Sequence, residues 1–211
     1  MSAEAEIAKV AGKALLKLLG KPLKTDKWAL RGTYTATQTD KKGVYTIIVP
    51  EDDPLRLVHV ASGRALVIPW KRFESDFASV PAMVRALCGK AKILHLGPRD
   101  YEECAVLHDG FYGAGWCWVV RTAERDGKRV VEAVRMPLEK READAALFVG
   151  MECKGATVAD GISYHAGVAM FGRKRWEAGI EEGKAAVESG RWAEMWADRP
   201  TAASRRRAEG A

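Results

Sequence analysis

The chain lacks any run approaching the roughly 20 consecutive apolar residues that a membrane helix needs, so no spanning helix is expected. Cysteine is scarce. The four, Cys88, Cys104, Cys117 and Cys153, form no C-x-x-C pair. That spacing argues against a zinc finger and, with no secretory signal in view, for four reduced thiols. The first residues carry acids, and lysines recur through the apolar positions that follow, where a secretory signal keeps a lysine-free block. A glycine-rich phosphate loop is also missing, because "GAG" at 113–115 has neither the spacing nor the strand–turn–helix setting. No internal repeat is found, and no linker interrupts the chain before about residue 198.

What is present is an ordinary globular composition, with 47% hydrophobic and 29% charged residues in 211. The net charge of +6 favours diffuse contact with anionic surfaces but is modest for a dedicated nucleic-acid binder. No nucleic-acid-binding motif accompanies it, so specific binding of that kind is not expected.

Residues 1–22 read as an amphipathic helix, with Ile7, Val10, Ala14 and Leu18 on one face and Lys9, Lys13, Lys17 and Lys21 on another. Residues 23–172 read as an α+β core. Its first part, 27–70, is rich in β-branched and aromatic residues between turn signals. "TDKKG" at 39–43 and Ser62-Gly63 mark two hairpin connections. The pattern then becomes helical, first from Ser79 to about Leu87 and again from about residue 98 to Tyr112. Asp126-Gly127 centres a further hairpin over 116–136. Pro137 is read as opening the next helix, and residues 160–172 as a turn followed by a short apolar segment. Residues 173–198 suggest one or two last helices carrying Trp192 and Trp196, before a flexible basic tail at 199–211. The expected architecture is a small antiparallel β-sheet followed by a helical layer, with an added hairpin and N- and C-terminal helices.

Four residues carry the candidate chemistry. His108 lies on the inward face of its helix, where a buried imidazole needs a partner for at least one ring nitrogen. Asp109 stands near that helix's C-terminus, where the helix dipole disfavours a carboxylate and something must offset it: a metal, an arginine or backbone donors. Asp76 sits where strand gives way to helix, and Asp144 borders a buried helix face with His108 or Arg141 as candidate partners. Each has a plain structural explanation: a core histidine, a local cap, an Asx turn, an Asp–His tie. Ser79 is best explained as an N-cap, and Pro81 fits the first turn behind it. Together Asp76, His108, Asp109 and Asp144 would make an oxygen-rich metal site suited to magnesium, manganese or zinc, with His108, Asp76 and Asp109 as the catalytic groups.

The segments "IPWKRFESDFASVP", "AVLHDGFY", "READAALF" and "SYHAGVAMFG" occur in that order over about residues 66–172. In them the chain resembles the phage and prophage domain-of-unknown-function family 1353. The positions that match its pattern are Asp76, Ser79, Pro81, His108, Asp109 and Asp144. The chain departs from it at Ser75, where threonine is usual, in "PWKRF", and in the hairpin at 116–136. The resemblance implies a phage or prophage origin and the host cytoplasm or the virion as location, but no reaction. Two readings therefore stay open. One is a virion-, tail- or lysis-associated metal-dependent hydrolase acting on cell wall. The other is a non-enzymatic virion or assembly component that uses the Asp–His cluster as a staple. In that case the N-terminal helix and Trp192/Trp196 would dock on other particle proteins.

Overall fold

The computed structural model describes residues 13, 17–18, 20–38, 44–75 and 101–188. Most of the expected N-terminal helix, the helix at 79–87, Trp192, Trp196 and the basic tail lie outside the described residues, as do Asp76, Ser79 and Pro81.

The architecture is α+β, with antiparallel strands ahead of most of the helices. The strands are β1 (Trp28–Arg31), β2 (Thr35–Gln38), β3 (Tyr45–Ile48), β4 (Arg56–His59), β5 (Ala65–Val67), β6 (Arg72–Ser75), β7 (Trp116–Arg125) and β8 (Lys128–Pro137). They divide into two sheets, one in the order β1-β4-β5-β7-β8 and one in the order β2-β3-β6. β2 pairs with β3 as expected, the connection at 39–43 lying outside the described residues, and β4 pairs with β5 through a turn in which Gly63 has φ 65°. The hairpin at Asp126-Gly127 also forms, with φ 52° and 70° at its two central residues, as a type I′ turn requires. It completes the larger sheet, because the base of β7 pairs with β5 from Ala65↔Val120 to Val67↔Trp118.

Among the described residues the longer helices are α1 (Glu102–Tyr112), between β6 and β7, and α2 (Lys140–Cys153), α3 (Val158–Phe171) and α4 (Arg173–Glu188), after β8. α1 is buried nearly all round, from Cys104 to His108 and again from Gly110 to Tyr112. A helix so apolar on every side belongs at the centre, and α1 packs against α2, α4, β6 and β7. Its Val106, Leu107 and Phe111 share one core with Leu57, Val67, Cys117 and Val119 of the larger sheet. A second apolar cluster, Cys104, Leu147, Met151 and Tyr164, joins α1, α2 and α3.

Two expectations are corrected. Pro137 does not open a helix but ends β8, at the edge of the sheet, where a residue without an N–H is tolerated. α2 begins three residues later, behind a reciprocal cap in which Glu139 and Glu142 satisfy each other's backbone N–H groups. The segment at 160–172 is not a turn and short stretch but most of α3. Thr157 and Asp160 close a capping box at its start: Asp160 N donates to Thr157 Oγ1 at 3.2 Å and Thr157 N to Asp160 Oδ2 at 3.0 Å. Among the described residues no helix is long and apolar enough to cross a membrane. Cys104, Cys117 and Cys153 are free thiols, and Cys88 lies outside the described residues.

Candidate functional site

Among the described residues three of the four buried polar side chains, Ser75, His108 and Asp144, gather around the His108 ring, while the fourth, Asp160, caps α3. His108 is 3% exposed, and a carboxylate faces each ring nitrogen. Nδ1 lies 3.3 Å from Asp109 Oδ1, and Nε2 lies 3.4 Å from Asp144 Oδ1. A neutral imidazole has one N–H and one lone pair, so one carboxylate would then meet a lone pair. Only the imidazolium donates to both. Burial pulls the pKa of His108 down, but the hydrogen bonds and charges of Asp109 and Asp144 outweigh it and leave the pKa raised.

Asp144, itself 4% exposed, is the most heavily bonded member. Its Oδ1 accepts from His108 Nε2 and from the Tyr112 hydroxyl, and its Oδ2 from Lys140 Nζ at 2.7 Å. Burial alone would raise its pKa. The three donors reverse that and hold the carboxyl at about 2. Tyr112 is pushed the other way, well above the usual phenol range, by burial and by the carboxylate it donates to. Lys140 reaches on to the backbone carbonyl of Val168 at 2.9 Å, which ties α2 to α3.

Asp109 closes the other end. Ser75, the last residue of β6, donates its hydroxyl to Asp109 Oδ2 at 2.5 Å. The offset expected for a carboxylate at a helix C-terminus is thus the Ser75 hydroxyl and the His108 ring, not an arginine. With His108 protonated, two cations and two carboxylates balance, and the set links β6, α1, α2 and α3. The ring of Tyr112 extends it to α4 through an edge-on contact with Trp176 at 5.1 Å.

Of the four residues singled out from the sequence, three meet here: His108, Asp109 and Asp144. The fourth, Asp76, lies outside the described residues, though it follows Ser75 directly in the chain. Arg141, offered as a partner for Asp144, instead pairs with Glu139 at 2.6 Å. Ser75, Tyr112 and Lys140 were not foreseen. Two of them carried a signal, since His108–Tyr112 and Lys140–Asp144 are both i,i+4 pairs on a helix.

The arrangement does not fit a metal held jointly by His108, Asp109 and Asp144. The two carboxylates lie against different ring nitrogens, so no single position offers an imidazole lone pair and both sets of oxygens. Among the described residues, no group of three His, Cys, Asp or Glu side chains is placed to hold one ion. No protein-family model, curated protein or solved structure matches the chain.

Proposed function

We propose that the chain is a phage or prophage protein, associated with the virion, its tail or its assembly, that works without chemistry at His108. The motif resemblance over about residues 66–172 supports the phage origin. One observation carries the non-enzymatic reading: both ring nitrogens of His108 are engaged by carboxylates in the interior. An imidazolium fixed in that way has no lone pair with which to take a proton or bind a metal. The cluster is a charge-balanced staple that sets how β6 and the helices pack. In this reading the protein acts through its surfaces on other particle components, in the host cytoplasm during infection and in the particle afterwards.

The hydrolase reading keeps one supporting observation. Asp109 is the outermost of the two carboxylates, with its side chain 18% exposed, and its partner Ser75 immediately precedes Asp76. A metal there would be held by Asp109 together with groups beyond the described residues, without His108.

The test is metal analysis of the native protein beside Asp76→Asn, Asp109→Asn and His108→Gln, combined with ¹⁵N NMR of the histidine rings. The non-enzymatic reading expects no stoichiometric zinc, manganese or magnesium, and a doubly protonated His108 ring at neutral pH. Stoichiometric metal that is lost in folded Asp76→Asn and Asp109→Asn variants would overturn it in favour of the hydrolase.

A further inference from the structure

A cavity of about 450 Å³ opens between the base of the β7–β8 hairpin and α4. Its size falls in the range of small-molecule sites. Trp116, Leu138 and Ile180 give it an apolar lining, and Arg135, Lys184 and Glu188 stand around it. The charges differ in what they already hold. Lys184 Nζ is bound to Glu181 at 2.8 Å, and Glu188 lies one turn further along the same helix, so Lys184 is neutralised by its own helix. Arg135 has no carboxylate partner among the described residues. Its guanidinium instead sits 5.8 Å from the centre of the Trp116 ring. That indole is held in turn by an edge-on contact with Trp118 at 5.1 Å.

We propose that this cavity binds a small aromatic monocarboxylate, with its ring against Trp116, Leu138 and Ile180 and its carboxylate on Arg135. A flat indole beside aliphatic side chains suits an aromatic body. A guanidinium held 5.8 Å from a ring centre, with no carboxylate of its own among the described residues, has its fork free to take a carboxylate. The anion is single because among the described residues one uncommitted cation, Arg135, faces the cavity, and Glu188 repels further negative charge. The proposal stands apart from the His108 cluster and survives either outcome there.

Titration calorimetry with 2-naphthoate and with 2-naphthamide tests it. The acid is expected to bind with Kd below about 1 mM and the amide at least about tenfold more weakly. Arg135→Gln should weaken the acid by about tenfold or more, a loss expected when the one charged partner of an anion is removed. Arg129→Gln, an exposed change at the far end of the same strand, should leave it unchanged. No binding of the acid at millimolar concentration overturns the proposal. So does equal binding of acid and amide, or an equal loss in Arg129→Gln, which would reveal attraction to a basic arm and no site.

Discussion

Asp144→Asn removes one charge from the centre of the His108 cluster and changes almost no volume. With its oxygen in the place of Oδ1 the amide still accepts from Tyr112 and His108, but its NH₂ then faces the Lys140 ammonium, itself a donor. The carboxyl is held at about 2 against an ordinary 3.8, which corresponds to about 2 kcal/mol of stability above that pH range. Setting the part-buried Lys140 ammonium against an NH₂ and weakening the partner of the buried His108 ring add to this, so the total loss should be about 3 kcal/mol near pH 6. For a chain of this size that is a fall in Tm of roughly 6–12 °C. The pH dependence follows from two opposite shifts. Asp144 is depressed, so its contribution is complete above its unfolded pKa and fades as pH falls toward 2. His108 is raised, so its contribution is complete below its unfolded pKa near 6.5 and is lost as pH rises through the folded value. The gap between wild type and Asp144→Asn should therefore be widest between about pH 4 and 6.5 and narrow on both sides. Urea unfolding followed by tryptophan fluorescence at about pH 3, 6 and 9 measures it. A difference under about 0.5 kcal/mol near pH 6, or one that is as large near pH 3, would refute the electrostatic account.

Two further outcomes follow from packing. Gly179→Ala should destabilise by about 1–3 kcal/mol, because a Cβ there overlaps the carbonyl oxygen of Tyr112. Helix propensity alone predicts a gain of about 1 kcal/mol, so the sign of the Tm shift decides between the two. Cys104 and Cys117 are fully buried with thiols pushed up to about 12, so iodoacetamide at about pH 8 should spare both in the native protein and modify both after unfolding. Mass spectrometry of the labelled peptides reads this, and native labelling of Cys117 as fast as that of the less buried Cys153 would contradict it.

What could be read from the sequence was what is local. The β7–β8 hairpin announced itself through Asp126-Gly127, and His108 through its place in an apolar helical run. α3 was missed because Asp160-Gly161 looks like a turn. In the fold Gly161 is inside a helix, and a Cβ there would meet Leu23 at 2.6 Å and Phe148 at 2.7 Å. The residue is small for packing, not for bending, and the sequence does not distinguish the two. The Thr157–Asp160 box just ahead was the better signal. Pro137 was misplaced for a similar reason, since a missing N–H suits a helix start and a sheet edge equally. At the site, the Asp144–His108 tie was foreseen as an alternative. Ser75 was not, because it reaches Asp109 of α1 from a strand, β6, 34 positions earlier in the chain.

The β7–β8 hairpin also bears on the order in which the chain assembles. Its strands are neighbours in sequence and its turn is preset, so it can zip in about 1–10 μs. β5 must instead find β7 across all the residues from 68 to 115, and that search is slow because the intervening loop must close first. Trp116, Trp118 and Arg135 are thus brought together before the rest of the larger sheet arrives. From loop closure alone the hairpin is expected to act as the template on which β5, and through it β4 and β1, are added.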